Sequence, residues 1–205
     1  RRSSDLNFRN KLDPSAQHFQ INRSYSISGG KRFYVGKDKN PLSFFLTAGH
    51  TMDYQYTDEI IRNTTTSGTV YKDMNGKKYA ENISQLALAN VDFDMQNRHH
   101  ISYNLMMIHA NTQSVGDYNG KNSIFSDDYE NLGFTRRQQT NDNMLIVNQL
   151  MTNWGLTKSL SLDAGASYNM VKGYEPDRRI NNLTKAEDGY TLLRGNSQQR
   201  YFSTL

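Results

Sequence analysis

Apolar and polar residues alternate with a period of two along several stretches of the chain. From Leu160 to Met170 the even-numbered residues are apolar or aromatic, and the residues between them are Ser, Asp, Gly and Asn. Successive side chains of a β-strand point to opposite faces of a sheet, so this pattern predicts a strand with one apolar face. The longer stretch from Leu42 to Tyr56 repeats the pattern, interrupted by Phe45 and His50.

Weaker alternation predicts four further strands and the start of another, at residues 23–33, 83–93, 101–111, 141–153 and 199–205. Each complete segment has about ten residues or slightly more, which is enough for a tilted strand to cross a bilayer. The predicted connections at 35–41, 95–100 and 154–159 are tight, whereas those at 57–82, 112–140 and 172–198 are long. Short turns on one side and long loops on the other are typical of outer-membrane β-barrels.

The predicted fold class is therefore all-β: an antiparallel transmembrane β-barrel segment of about six to seven strands. Even the smallest barrels need eight strands, so we expect residues 1–205 to be an internal, partial barrel domain whose remaining wall comes from elsewhere. Aromatic residues near the strand ends predict two interfacial girdles. The residues predicted to face lipid are Leu42, Phe44, Leu46, Leu160, Leu162, Ala164, Ala166 and Tyr168. Polar residues of the other face, such as Asp53 and Ser167, are expected to line a wet interior.

Composition narrows the choice of function. The chain has no cysteine, which excludes disulfides and Cys-ligated metal sites. Its formal net charge of +4 comes from basic pairs scattered along the sequence, not from a basic stripe, so nucleic-acid binding is not expected. The sequence contains no apolar run of about 18 residues, so no transmembrane helix is predicted. Adjacent His99 and His100 would point to opposite faces of a strand, and neither a metal site nor a cofactor is predicted.

Residues 165–179, with the sequence GASYNMVKGYEPDRR, resemble the barrel of TonB-dependent outer-membrane receptors of the Bacteroidetes. Agreement with that family extends to the segments SGGKR at 28–32, LAN at 88–90, HISYN at 100–104 and RQQTNDN at 137–143. The resemblance implies a 22-stranded barrel, plugged by an amino-terminal domain, in the bacterial outer membrane. Such receptors take up an oligosaccharide, a peptide or a chelated metal with energy passed on by TonB, and many carry a surface lipoprotein. Nothing in the sequence matches the plug domain or the TonB-contacting segment.

Two groups of residues are candidates for ligand binding. Guanidinium groups suit bidentate contacts to carboxylate or phosphate, and the first group is the charged cluster Glu175, Asp177, Arg178 and Arg179. These charges also suit pairing with each other, which would fix a loop against the barrel rim. Aromatic residues of the predicted loops suit stacking on sugar rings or packing against a peptide, and they suit folding of the loops equally well. This second group is Tyr71, Tyr118, Tyr129 and Tyr174.

Two other classes of protein stay open. A soluble extracellular β-sheet adhesin or carbohydrate-binding module would also alternate apolar and polar residues, but it would bury the apolar face of residues 160–170 against a second sheet. An enzyme is the third class. The sequence has no nucleophile elbow or metal triad, and its acidic pairs Asp58-Glu59 and Asp127-Asp128 lack the spacing of a catalytic pair, so no catalytic residue is predicted.

Overall fold

The computed structural model describes residue 14, residues 20–96 and 98–193, residue 195 and residues 198–202. This part of the chain forms a single antiparallel sheet of eight strands with one short 3-10 turn, Asp127–Tyr129. The strands are β1 (Arg23–Val35), β2 (Asn40–Thr64), β3 (Val70–Met95), β4 (His99–Asn122), β5 (Leu132–Gly155), β6 (Ser161–Ala186), β7 (Gly189–Leu192) and β8 (Gln198–Phe202). The prediction of an all-β, antiparallel chain is confirmed. Among the described residues, no helix has both the length and the apolar character needed to span a membrane.

Neighbours in the sequence are neighbours in the sheet. β1 to β7 lie side by side in chain order, and β8 pairs with β6 next to β7. In the described part of the chain β1 pairs only with β2, so the sheet is open. Each predicted strand core at residues 23–33, 42–56, 83–93, 101–111 and 141–153 lies inside a strand of the structure. β6 begins at Ser161, one residue after Leu160, and the residues of the predicted strand 199–205 beyond Phe202 lie outside the described part.

The predicted long loops are wrong. β2 to β6 are 24 to 26 residues long and take up most of residues 57–82, 112–140 and 172–198. The connections at this far end of the sheet are only residues 65–69, 123–131 and 187–188. At the turn end, the predicted tight turns are present at 36–39, 96–98 and 156–160. The far halves of the strands carry polar residues on both faces, so their backbone pairing produces no apolar alternation to detect.

The pairing register aligns the apolar residues of six strands into rows on one face. For example, Leu46 of β2 lies opposite Ala89 of β3, which lies opposite Leu105 of β4. Residues directly opposite each other in a ladder share a face. We call this set the apolar band and its side of the sheet the band face: Ile27, Phe33, Leu42, Phe44, Leu46, Ala48, Ala87, Ala89, Val91, Phe93, Ile101, Tyr103, Leu105, Met107, Ile146, Leu150, Leu162, Ala164, Ala166, Tyr168 and Met170.

Side chains of the apolar band are open to the surroundings. Ile27 is 75% exposed, Leu46 55% and Tyr168 71%. The row beyond the band, toward the far end, is mostly polar. It contains His50, Gln85, His109 and Lys172, together with Tyr25 and Met144. The band is therefore the densest apolar zone of this face, and it lies near the turn end of the sheet.

The opposite face is mostly polar on β2 and β6, as expected for residues such as Asp53 and Ser167. It is not polar throughout. The register brings six apolar residues of the three middle strands together there: Leu86, Leu88, Met106, Ile108, Leu145 and Val147. This patch is smaller than the apolar band, and it continues onto β6 at Val171, which lies opposite Leu145.

A small core closes the far end of the opposite face. Met74, Tyr118 and Phe125 are buried together, with Ile61 and Leu193 packed against them. Phe125 belongs to the 123–131 connection, which folds back over the sheet. The ring of Tyr118 lies directly on Gly76 and Gly116, where a Cβ atom would collide with it. Glycine at these two positions lets the aromatic ring lie flat against two strands.

Candidate ligand-binding cleft

The cluster Glu175–Arg179 lies inside β6, not in a loop beyond it. Thr140 of β5 faces Asp177, and Asp142 faces Tyr174, so β6 has one more residue than β5 between these pairs. This register shift is a β-bulge that contains Glu175 and Pro176. Proline has no N–H group to donate to the ladder, and a bulge is one of the places in a sheet that tolerates it.

The bulge decides which face the next residues occupy. Before it, the even-numbered residues of β6, up to Tyr174, lie on the band face. After it, Asp177 faces Thr140 and Arg179 faces Gln138, which places these odd-numbered residues on the band face as well. In a regular strand they would point to the opposite side, because side chains alternate with a period of two. Arg178 points to the opposite side instead.

A cleft of about 920 Å³ lies on the band face, between the apolar band and the far end of the sheet. Binding pockets for small ligands usually measure roughly 300 to 1,000 Å³. Tyr56 and Tyr79 face each other across β2 and β3, with ring centroids 5.1 Å apart and ring planes at 48°. Other side chains that line the cleft include Glu81, Gln113, Asp117, Thr140, Asp177 and Arg179.

Asp177 is the centre of an ion-pair cluster at the wall of the cleft. Its Oδ2 lies 2.8 Å from Nη2 of Arg179, and its Oδ1 lies 3.1 Å from Nε of Arg200 in β8. Burial alone would raise the pKa of the Asp177 carboxyl, but the hydrogen bonds and charges of Arg200 and Arg179 outweigh it and lower the pKa below its ordinary value. The cluster holds β8 against β6.

The charged cluster mostly pairs within itself. Arg178 lies 3.4 Å from Glu175, and its guanidinium group stacks on the Tyr201 ring at 4.5 Å from the ring centroid. Mutual pairing of these charges is the alternative that the sequence left open, and the structure shows it. Ligand contact by Glu175, Asp177, Arg178 and Arg179 stays a prediction, and only Asp177 and Arg179 line the cleft.

The four candidate tyrosines of the predicted loops do not come together. Tyr118 is buried on the opposite face, where its hydroxyl donates a 2.7 Å hydrogen bond to Oε2 of Glu59. Burial and this hydrogen bond raise the pKa of Tyr118 to about 12. Tyr71 lies near the start of β3, Tyr129 in the 3-10 turn, and Tyr174 opposite Asp142 in β6. A ligand role for these residues remains a prediction.

Sequence reasoning missed the residues that shape the cleft. It assigned Tyr54 and Tyr56 to an aromatic girdle and placed Tyr79 in a loop. The signal was present in the alternation of β2, because Tyr54 and Tyr56 continue the parity of the apolar band. Extending the odd-numbered parity of Ala87 and Ala89 back along β3 would have placed Glu81 and Tyr79 on the same face.

Further charge pairs cross the far halves of the strands on the band face. Arg136 of β5 donates two hydrogen bonds to Asp117 of β4, at 2.7 and 2.8 Å. Nearer the band, His109 and Asp142 share a hydrogen bond of 2.8 Å. Across the described residues, no group of three or more His, Asp or Glu side chains is placed to hold a metal ion.

Comparison with known proteins adds no assignment. None of the protein-family models matches the chain, and the search of curated proteins finds no match to it either.

Proposed function

We propose that the chain forms part of the wall of a TonB-dependent receptor in a bacterial outer membrane. The observation that carries this proposal is the apolar band, which runs across six strands on one face and whose large side chains are exposed or half-buried. Water disfavours so much contiguous apolar surface on a soluble protein, where larger exposed patches mark contact with a partner or a membrane. Lipid is a partner that needs no shape complementarity.

The dimensions of the band suit a membrane. In β6 the band runs from Leu162 to Met170, eight residue steps, which is roughly 26 Å along the strand at 3.3 Å per residue. Outer-membrane barrels expose an apolar zone roughly 25 Å tall, and tilt of the strands shortens the projection somewhat. At the next row of the band face, polar residues replace apolar ones on four strands, at His50, Gln85, His109 and Lys172.

The receptor class itself comes from the resemblance of residues 165–179 and the shorter segments. On this proposal the chain supplies six strands of the barrel wall. The rest of the barrel, the plug, TonB and a surface lipoprotein are the other parts of the transport system. The cargo would be an oligosaccharide, a peptide or a chelated metal. The apolar patch of β3, β4 and β5 on the opposite face would then lie inside the barrel.

A soluble carbohydrate-binding module or adhesin is the second candidate, and the cleft with its tyrosine pair favours it. That protein would need a second layer over the apolar band. In the described part of the chain no such layer covers Ile27, Leu46 or Tyr168.

Two substitutions at the depth of the band, one on each face, separate the two candidates. Ala89 lies in the middle of the apolar band, and Ser167 lies on the opposite face, across from Gln149. The protein that carries this chain is expressed in a Gram-negative host, and its amount in the outer-membrane fraction is measured. We expect Ala89→Arg to lower that amount strongly, because an arginine in lipid near mid-membrane costs about 2–4 kcal/mol. Ser167→Arg should be tolerated. Equal amounts of the two variants in the membrane, or wild-type protein found in the soluble fraction, would contradict the proposal.

A further inference from the structure

The cleft lies on the same face as the apolar band, but beyond it. Tyr56 follows Ala48, the last band residue of β2, by eight positions, which is roughly 26 Å along the strand. If the band face meets lipid, as proposed above, the cleft faces away from the interior of a barrel. The headgroup region adds only roughly 5–8 Å on each side of the hydrocarbon core, so even with tilted strands the cleft would open beyond the headgroups, outside any path through the barrel.

The cleft offers aromatic faces at a fixed position. Tyr56 and Tyr79 are about half exposed, so their rings are accessible although they contact each other. The Tyr56 hydroxyl donates a 2.5 Å hydrogen bond to Asp58, which holds its ring in place. An aromatic face accepts the C–H face of a pyranose ring, and tyrosine provides this contact at low cost in conformational entropy.

Groups that bind hydroxyls surround the aromatic pair. Gln113, Thr140 and Glu81 line the cleft, and together they offer both donors and acceptors of hydrogen bonds. A sugar hydroxyl donates and accepts at once, so such a mixed set satisfies it. The volume of about 920 Å³ accommodates several sugar rings.

The charge of the cleft argues against an anionic ligand. Its lining includes the carboxylates of Glu81, Asp117 and Asp177, and the lining cation Arg179 is already paired with Asp177. Asp117 is likewise paired, with Arg136. With Arg136 and Arg200 counted, the charges at the cleft balance, and its guanidinium groups are already engaged by carboxylates. A phosphate or carboxylate ligand would therefore meet no surplus of positive charge to replace its hydration.

We propose that this cleft binds a short neutral oligosaccharide, with its sugar rings on Tyr56 and Tyr79 and its hydroxyls on Gln113, Thr140 and Glu81. The sugar is either a free glycan or the neutral headgroup of a glycolipid in the outer leaflet. Only the glycolipid source rests on the proposed membrane function. Sugar binding itself does not.

Calorimetric titration of the detergent-solubilised protein tests the binding. The probes are neutral pentasaccharides of α-glucan, β-glucan and β-mannan, with an oligogalacturonate of equal length as the anionic comparison. We expect saturable binding of at least one neutral probe and none of the anion. Tyr79→Ala should weaken that binding at least tenfold, and Tyr79→Phe, which keeps the ring, should largely preserve it. Tyr168→Ala, an exposed tyrosine of the apolar band, should leave it unchanged.

Absence of binding by every neutral probe would overturn the proposal, and so would binding that Tyr79→Ala leaves intact. Circular dichroism of each variant verifies that the sheet is retained. Vesicles with and without a glycolipid whose headgroup is the pentasaccharide that binds then distinguish the sources: a glycolipid site is blocked by the glycolipid, whereas a free-glycan site is not. Because the titration is done in detergent, its failure is independent of the arginine test for membrane insertion.

Discussion

At the scale of single residues, the best example of what the sequence could and could not predict is Asp177. The charged run at 175–179 predicted mutual pairing, and the ion pair of Asp177 with Arg179 agrees with it. The second partner, Arg200, is 23 positions away and meets Asp177 only because β8 pairs with β6. The bulge that turns Asp177 toward the cleft was also missed, although Pro176 within an extended run is the usual sign of one.

The Asp177 cluster makes attachment of β8 dependent on pH. The pKa of Asp177 is lower in the folded chain than its ordinary value of 3.8, so the carboxylate stabilises the folded state above that value. This contribution is lost as pH falls through the lowered pKa. Because intrinsic amide exchange itself slows as pH falls, the quantity compared is the protection factor, and we expect that of the β8 amides to fall selectively below about pH 4 relative to pH 6.

The variant Asp177→Asn should exchange faster in β8 already at pH 6. It should destabilise the pairing by on the order of 1 kcal/mol, since the cluster is partly exposed to water. Asp163→Asn, at the turn end of the same strand, serves as the control and should leave β8 unaffected. Protection of β8 that stays the same from pH 6 to pH 2 would refute this role of Asp177.

At the scale of strands, the sequence predicted the segments that cross the apolar band but not their continuation beyond it. β3 shows the reason: residues 83–93 were predicted, but the strand runs from Val70 to Met95. In the far half of β3, the polar side chains at Asn75, Lys77 and Lys78 give no periodic apolar signal. Backbone hydrogen bonding, which any residue except proline provides, continues the strand regardless. Packing of Tyr118 on Gly76 and Gly116 was likewise invisible, because it depends on the register.

Engineered cysteine pairs test that register. Ala48 and Ala87 lie directly opposite each other in β2 and β3, whereas Ala89 lies two positions further along on the same face. Opposed residues are about 4.5–5.5 Å apart, within reach of a disulfide, and diagonal ones are about 7–8 Å apart. The chain has no cysteine of its own, so the signal is unambiguous. We expect Ala48→Cys/Ala87→Cys to cross-link several-fold more completely under mild oxidation than Ala48→Cys/Ala89→Cys, measured on a non-reducing gel. The reverse order would mean that the strands pair in another register.

At the scale of the whole molecule, the sequence predicted the fold class and not the closure of the sheet. Alternation shows that a strand has one apolar face, but it contains no information on how many strands stand beside it. In the described residues, one edge of β1 is unpaired, since β1 pairs only with β2. The contrast between short and long connections, which first favoured a barrel, is much weaker in the structure. The continuous apolar band now supports the membrane hypothesis better than the loops do.

The single tryptophan of the chain reports how the whole sheet sits in a bilayer. Trp154 lies in β5 at the turn end of the sheet, next to Leu162 of the apolar band, and its ring contacts His99 at 4.9 Å between centroids. Tryptophan favours the membrane interface. In reconstituted protein, we expect its fluorescence to be quenched more by lipids brominated near the carboxyl end of the acyl chain than by lipids brominated near the methyl end.

A relocated tryptophan provides the control for this measurement. The double variant Trp154→Phe/Tyr190→Trp moves the probe to β7 at the far end, where no quenching by brominated lipid is expected. Equal quenching at both positions, or none at either, would contradict the assigned orientation of the sheet relative to the bilayer.

The bulge at Glu175 and Pro176 also bears on which insertions and deletions this protein can survive. Adding or removing one residue between Leu162 and Met170 would exchange the two sides for every position on one part of the strand, and these residues would lose their common apolar face. Loss of Pro176 has no such effect, because removal of the extra residue leaves Tyr174 and Asp177 on the side that they already share. Natural length variation within this strand should therefore concentrate at the bulge, and elsewhere it should come in steps of two.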